Sequence, residues 1–231
     1  MDAMRNKGNL KAKENTLGIE VDSGGKAKTK AGKILNQYMR LTVEDRKLMA
    51  LLDAWGYLTA GEIADFLGKH EKTAQWRVTR LLQAGFIRRE KTPFGHYIYT
   101  VMDFRGFNIA GHDHYAMVKT VARELSAKYQ CGYITERQMR SADQLERGGL
   151  ATGKWPDFVL AKDAKEIAVE VELSTKNTKR IRKIIENYIT LLKKGVYVQV
   201  WYYCKTKAIC KKINMVAAEN GSPRIKTFLL P

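Results

Sequence analysis

Apolar residues recur at helical spacing in three consecutive segments of the first half of the chain. The first two segments follow Thr42 and Thr59, and each threonine is followed three positions later by an acidic residue, a pattern typical of a capped helix start. A third helical pattern spans residues 71–84. Residues 86–101 then contain two β-prone segments around a Pro-Phe-Gly turn, which predicts a hairpin. We therefore expect three short helices closed by a β-hairpin.

Beyond residue 104 the pattern alternates between helical and extended segments. Residues 141–154 are polar and contain glycine, and we predict a loop there. The order of the other segments is typical of an α/β domain with a mixed sheet, so the expected fold class is α+β or α/β. The predicted helices cover residues 114–129, 179–192 and 208–219, and the predicted strands cover residues 132–139, 158–160, 167–173, 196–204 and 225–229.

Three domains are expected from these patterns. Residues 1–40 are rich in lysine, glycine, asparagine and serine, and we interpret them as a basic, mobile arm that ends in a short helix starting near Ile34. Residues 41–104 contain the three helices and the hairpin. Residues 105–231 contain the α/β domain.

The charge of the chain indicates a polyanionic partner. It has 41 Lys+Arg against 24 Asp+Glu, a formal net charge of +17, and nucleic acid is the usual partner for such an excess. We find no apolar run long enough to span a membrane and no apolar core of a signal peptide. Cys131, Cys204 and Cys210 form no metal-type pair, so we expect reduced thiols in a cytoplasmic protein.

Three short helices followed by a hairpin are the plan of a winged helix-turn-helix domain, which we predict for residues 41–104. The face of the third helix opposite its apolar residues is polar, aromatic and basic, and such side chains read base edges and bind phosphates. A domain that contacts protein, with its charges solvated, is the alternative. The predicted DNA-binding residues are Lys72, Thr73, Gln75, Trp76, Arg77 and Arg80 on the helix, and Arg88, Arg89, Lys91 and His96 on the hairpin.

Three carboxylates interrupt two apolar strands in residues 155–176. Asp157 precedes the first strand, and Glu170 and Glu172 alternate with apolar residues in the second. Since alternate residues of a strand share a face, a turn centred on residues 163–164 places Asp157 opposite Glu170. Crowded carboxylates repel each other unless a cation lies among them, and oxygen ligands suit Mg²⁺ or Mn²⁺. We predict that the three acids bind such a metal, with a structural network of acids paired to lysine and arginine as the alternative.

These residues resemble a known superfamily. Pro156-Asp157, Glu170-x-Glu172 and Lys176 resemble the core of the restriction-endonuclease-like superfamily, whose usual motif is Pro-Asp followed by Asp/Glu-x-Lys. Glu172 stands where the lysine is usual, which leaves the general base open between Lys176 and a metal-bound water. With the preceding winged helix and the Lys179-Arg180 segment, the pattern is similar to the replication-relaxation family, and within it to MobC-type plasmid relaxases.

The resemblance also bears on two other acids and on a histidine pair. Glu136 matches an acid found upstream of the Pro-Asp motif, and Glu124 on the preceding helix competes with it for that role. His112 and His114 are separated by an aspartate, unlike the His-hydrophobic-His metal motif of most conjugative relaxases, and they lie at a predicted helix start. We interpret both as helix caps or surface residues.

The resemblance implies a relaxase that nicks double-stranded plasmid DNA at a transfer origin during mobilization, with Mg²⁺ or Mn²⁺ as cofactor. A second mobilization protein and a coupling protein are the implied partners. Two alternatives stay open: a restriction or transposition endonuclease of the same fold, and a non-catalytic relaxosome accessory or regulatory DNA-binding protein. The implied catalytic residues are Asp157, Glu170, Glu172, Lys176 and Glu136, while Lys179 and Arg180 are expected to bind DNA phosphates.

Overall fold

The computed structural model describes residues 20–21, 27–28, 41–102, 111–147, 155–162 and 165–230. Over these residues the protein is a mixed α/β structure with seven helices. In the predicted arm, β1 (Glu20–Val21) and β2 (Ala27–Lys28) pair antiparallel. The short helix predicted near residue 34 lies outside the described residues. No helix in these ranges is long and apolar enough to cross a membrane.

Residues 41–102 form three helices and a small antiparallel sheet. Thr42 and Thr59 cap the first two helices as predicted, because each hydroxyl accepts a hydrogen bond from the backbone N–H three residues on. The sequence predicts only a break after the first helix, whereas a short strand there pairs with the hairpin and gives the sheet order β3-β5-β4. The elements are α1 (Val43–Trp55), β3 (Tyr57–Leu58), α2 (Ala60–Leu67), α3 (Glu71–Gln83), β4 (Ile87–Lys91) and β5 (Tyr97–Val101).

Residues 111–230 are built around a five-stranded mixed sheet. Its elements are α4 (His112–Tyr129), β6 (Gly132–Thr135), α5 (Glu136–Arg147), β7 (Phe158–Lys162), β8 (Lys165–Glu172), α6 (Thr178–Lys193), β9 (Gln199–Cys204), α7 (Lys207–Glu219) and β10 (Ile225–Leu229). The strand order is β10-β9-β8-β7-β6. Strands β6, β7 and β8 pair antiparallel, whereas β8, β9 and β10 pair parallel. Parallel neighbours need crossover connections, and α6 and α7 provide them.

Helix α5 differs from the sequence prediction. The prediction continues β6 to residue 139 and places a loop at residues 141–154, but the strand ends at Thr135 and the chain is helical to Arg147. Thr135 Oγ1 accepts from the Gln138 N–H at 3.3 Å, and Gln138 Oε1 accepts from the Thr135 N–H at 3.0 Å. This Thr-x-x-Gln capping box starts the helix despite the β-prone residues before it. The rest of the predicted loop, residues 148–154, lies outside the described residues.

The sheet is covered on both faces. One apolar core joins the three N-terminal helices to α4 and to the sheet, and it includes Leu52 of α1 and Phe158 of β7. The second core lies between the sheet and helices α6 and α7, and it includes Ile185. Because both faces are covered, the strands in the middle of the sheet are buried on both sides.

Polar contacts cross the junction between residues 41–102 and the α/β domain. Thr135 Oγ1 donates to the carbonyl oxygen of Ala54 at 2.6 Å, which ties the start of α5 to the end of α1. Lys119 of α4 is 3% exposed and pairs with Glu62 of α2 at 2.5 Å. Burial lowers the pKa of Lys119, and the charge of Glu62 opposes that effect. Helices α1 and α2 are therefore attached directly to the α/β domain by buried polar contacts.

Candidate functional site

The β7–β8 hairpin brings two of the predicted acids to one end of the sheet. Phe158 pairs with Val169, and the pairing continues without interruption to the end of the hairpin. The residue before β7, Asp157, therefore stands opposite Glu170. This is the register that the sequence predicts.

Asp157 is held from two sides. Its Oδ2 accepts a hydrogen bond from the backbone N–H of Val171 at 2.7 Å, so the carboxylate is fixed to the neighbouring strand. Its Oδ1 lies 3.0 Å from Nε2 of His114, in the first turn of α4. The Asp157 side chain is 13% exposed. A partly buried carboxylate with two fixed neighbours is well oriented for a chemical role.

His114 differs from its interpretation as a cap or surface residue. It contacts the predicted catalytic aspartate, and this hydrogen bond raises the pKa of His114 above its usual value, against the opposing effect of burial. The charges of Asp157, Glu170 and Glu172 act in the same direction as the hydrogen bond. The sequence contains a signal for this contact, since α4 begins at the His-Asp-His segment and packs on the strands that carry the acids.

Glu170 and Glu172 share a face of β8, as predicted, but that face is buried. The two side chains belong to residues that are 5% and 6% exposed. The Tyr188 hydroxyl of α6 donates to Glu170 Oε1 at 2.5 Å, and Lys176 pairs with Glu172. The crossover helix α6 covers this face, and its tyrosine supplies a partner that strand periodicity cannot predict.

A small open cleft lies beside Asp157 at the junction of α1, α4 and α5. Glu136, the first residue of α5, lines it, and the Glu136 N–H donates to the carbonyl oxygen of Asp157 at 3.1 Å. Burial raises the pKa of Glu136, and Arg140, whose Nη2 lies 2.5 Å from Glu136 Oε1, opposes this. The residues that line the cleft are Ala54, Trp55, His114, Tyr115, Val118, Thr135, Glu136, Arg137 and Asp157.

The structure separates the two competing acids. Glu136 lies beside Asp157 in the cleft, as described above. Glu124 is exposed on α4, five residues before its C-terminal end, and is not among the cleft residues. Of the two candidates, Glu136 has the position that a role next to Asp157 requires.

The predicted metal ligands are Asp157, Glu170 and Glu172, and whether they suit a metal ion depends on how many protein ligands that ion needs. Within the described residues, no three His, Cys, Asp or Glu side chains are arranged to hold a metal ion. However, Mg²⁺ in phosphate-processing sites usually binds one or two carboxylates and completes its shell with water and substrate phosphates. Asp157 lies one position before the Phe158–Val169 pair and so continues the register opposite Glu170, and both residues supply carboxylate oxygens. The Asp157 carboxylate contacts α4, whereas that of Glu170 contacts α6. The third predicted ligand, Glu172, is paired with Lys176.

The exposed face of α3 differs in part from the predicted stripe. Asp45 of α1 is 0% exposed and accepts from Arg77 Nη1 at 3.1 Å, and it also pairs with Arg80. Both guanidinium groups therefore turn back towards α1. Lys72 and Trp76 are exposed, on the side of α3 that faces solvent.

The remaining predicted DNA-binding residues are mostly exposed. Thr73 and Gln75 of α3 are exposed, although Gln75 Nε2 donates to the Tyr99 hydroxyl at 2.9 Å. Arg88 pairs with Glu90 at 3.2 Å on the hairpin. The residues that face solvent on the hairpin and at the start of α6 are Arg89, Lys91, His96, Lys179 and Arg180.

Comparison with known proteins adds no family assignment. No protein-family model matches the chain, and no curated protein matches it.

Proposed function

We propose that this chain is a DNA-binding, divalent-metal-dependent endonuclease that nicks plasmid DNA at a transfer origin, similar to MobC-type relaxases of the replication-relaxation family. The observation that carries the proposal is the position of Asp157: it stands opposite Glu170, is held by His114 and the Val171 N–H, and borders a cleft. Oriented carboxylates beside a cleft are what metal-assisted phosphodiester cleavage requires.

The fold supports the proposal in two ways. Residues 41–102 have the helix and hairpin order of a winged helix-turn-helix domain. Residues 111–230 contain a helix, an antiparallel hairpin with the acids, a crossover helix and a parallel strand, which is the order expected for a restriction-endonuclease-like core. A likeness of fold does not establish an activity, so the proposal depends on the site.

The proposed mechanism assigns roles to residues of this chain. Asp157 and Glu170 would hold Mg²⁺ or Mn²⁺, which supplies activation of water and stabilisation of charge on the phosphate. His114 and the Val171 N–H orient the Asp157 carboxylate, and Glu136 lies beside it in the cleft. Lys176 pairs with Glu172, two positions beyond Glu170 on the same face of β8. It is the candidate to stabilise negative charge that develops on the scissile phosphate.

DNA binding is proposed for the basic surfaces. Lys72 and Gln75 of α3, Lys91 and His96 of the hairpin, and the start of α6 carry exposed donors that suit phosphates or base edges. Arg77 and Arg80 support this surface from beneath, through Asp45.

A second mobilization protein and a coupling protein are the proposed partners.

The roles of Lys72 and Arg77 can be separated by measurement. Lys72→Ala is expected to weaken DNA binding at all sequences without changing the melting temperature. The slope of log K against log salt concentration is expected to become shallower by about one. Arg77→Ala is expected to lower the melting temperature, because Asp45 loses a buried partner. Fluorescence anisotropy at several salt concentrations, combined with thermal melting, distinguishes them. If Arg77→Ala weakens only cognate-site binding and melts normally, Arg77 reads bases as the sequence predicts.

The proposed activity is tested with a supercoiled plasmid that carries the transfer origin. Wild-type protein is expected to produce open circles with Mg²⁺ or Mn²⁺ and none with EDTA. Linear product would favour the restriction or transposition endonuclease. A plasmid without the origin serves as the control.

A non-catalytic DNA-binding protein is the second candidate. The pairs Tyr188–Glu170 and Lys176–Glu172 favour it, because buried acids with partners of their own often have a structural role. Protein that binds the plasmid tightly but never cuts it with any divalent ion would establish this candidate instead.

A further inference from the structure

Two aromatic side chains are exposed, Trp76 on α3 and Tyr97 on the hairpin. Trp76 is 60% exposed and Tyr97 is 46% exposed. Each ring has an arginine against it: the Arg80 guanidinium carbon lies 5.3 Å from the centre of the Trp76 ring, and that of Arg89 lies 4.2 Å from the Tyr97 ring. Large exposed aromatic residues are often part of a binding surface. The described part of the chain gives these two rings no covering element, so the surface is open to a ligand.

The geometry of the sheet connects these residues. Tyr97 and Tyr99 are two positions apart in β5, so they share a face. Gln75 of α3 donates to the Tyr99 hydroxyl at 2.9 Å, which brings α3 against that face. Arg89 lies opposite Tyr99, and Lys91 lies opposite Tyr97. The outer half of the hairpin thus continues the surface of α3 with an aromatic ring and two basic side chains.

The position of Trp76 on α3 follows from helix geometry. At about 100° per residue, Lys72, Trp76 and Gln83 form the stripe farthest from the buried residues Ala74, Val78 and Leu81. All three are exposed. An indole at the outermost point of a basic helix does not serve the protein core, and Trp76 is 60% exposed although Arg80 lies against its ring.

The chemistry of this surface suits unpaired bases. In a duplex the base faces are stacked on each other, and a protein reaches only their edges and the phosphates. Single strands expose the base faces, and proteins bind them with aromatic rings for stacking and basic groups for the backbone, often with arginine against the ring. Trp76 and Tyr97 supply the rings, and Lys72 and Lys91 supply backbone charge.

We infer that the face formed by the outer stripe of α3 and the outer half of the β4–β5 hairpin binds single-stranded DNA, with Trp76 and Tyr97 each stacking on an unpaired base. This inference rests on the proposed DNA binding and specifies its substrate as a strand that is locally unpaired. The positive charge of the chain favours a nucleic acid over an apolar protein partner on this surface.

The test compares single and double strands on the full chain. Labelled oligothymidylate of about 20 nucleotides, which spans more than one binding site, is titrated by fluorescence anisotropy beside a duplex of equal length. Trp76→Ala and Tyr97→Ala are each expected to weaken single-strand binding about tenfold or more, while duplex affinity changes much less. Trp76→Phe, which keeps an aromatic face, is expected to retain most of the single-strand affinity. Met215→Ala, an exposed apolar position on α7, is the control and is expected to bind both as wild type does.

Intrinsic fluorescence supplies a second readout. Of the four tryptophans, Trp55 and Trp201 are buried, Trp155 is half-buried and Trp76 is exposed. An oligothymidylate that stacks on Trp76 is expected to quench the exposed indole, and the part of the quenching that disappears in Trp76→Phe is assigned to Trp76. Equal losses for single strand and duplex in the alanine variants, or tighter binding of oligouridylate than of oligothymidylate, would overturn the inference. Wild-type protein that binds the duplex but not oligothymidylate also overturns it and leaves the proposed function standing. Protein that binds neither contradicts both.

Discussion

Replacing Asp45 by alanine is expected to lower the free energy of unfolding by about 3 kcal/mol. Asp45 is fully buried, pairs with Arg77 and Arg80, and accepts a hydrogen bond from the Thr42 N–H at 2.8 Å. The substitution removes the Asp45 half of the capping box, since Thr42 remains the N-cap, and leaves two arginines without their shared carboxylate. Because both arginines keep some contact with water, the loss is expected near the lower end for a broken buried pair.

The measurement is urea denaturation followed by circular dichroism. Glu44→Ala is the matched control, since Glu44 immediately precedes Asp45, is 47% exposed at its side chain and contacts Arg77 at 3.3 Å. An exposed pair of this kind contributes less than about 1 kcal/mol. Equal midpoints for the two variants would show that Asp45 does not organise α1 and α3.

Asp45 also predicts a dependence on pH. Burial raises the pKa of Asp45, but hydrogen bonds from Thr42 and Arg77 and the charge of Arg80 outweigh it, so the pKa is lowered. A lowered folded pKa means that the stabilisation is fully present above the unfolded value of 3.8 and is lost as the pH falls through the folded value. The difference in stability between wild type and Asp45→Ala is therefore expected to shrink in strong acid.

Replacing Asp157 by asparagine is expected to abolish metal-dependent nicking while leaving DNA affinity and melting temperature close to wild type. Asparagine keeps the shape of the side chain and an oxygen that can accept from the Val171 N–H, but it loses the charge that a cation requires. We expect the nicking rate to fall by about 100-fold or more, the scale found when a group that stabilises the transition state is removed. Plasmid relaxation, anisotropy and melting are measured on the same preparation.

Glu124→Gln is the control for Asp157→Asn. It removes a carboxylate from α4, the helix that also carries His114, but from a position that does not line the cleft. Wild-type nicking is expected for this variant. Undiminished nicking by Asp157→Asn would reject the proposed site. If Asp157→Asn melts at a much lower temperature than wild type, and wild type never nicks the plasmid, the result would instead favour a structural network of acids.

Local patterns in the sequence predict much of the fold. The capping boxes at Thr42 and Thr59, the helical spacing up to residue 84 and the β7–β8 register all depend on residues close together in the chain, and the structure agrees with them. The signal for helix α5 is equally local, because Thr135 and Gln138, which form its capping box, are three residues apart. The sequence prediction follows the β-prone residues before Thr135 and does not include this capping box.

The contacts that the sequence does not predict join distant residues. Asp45 lies 32 positions from Arg77, and His114 lies 43 positions from Asp157. Periodicity indicates that Arg77 is away from the apolar face, but it does not say that α1 supplies a buried acid there. It likewise places Glu170 opposite the apolar face of β8 without indicating that Tyr188 covers it. Such pairings depend on how the elements pack, which local spacing does not encode.

Helix α1 forms part of the wall of the Asp157 cleft, through Ala54 and Trp55, and it also holds α3 through Asp45. Under the proposed function, this shared helix fixes the distance between the surface that binds DNA and the acids that cut it. One base pair inserted between the bound sequence and the cleavage point would turn the scissile phosphate by about 35° around the helix axis. The position of the nick would then be set by the distance from the bound sequence, whatever the bases at the cut.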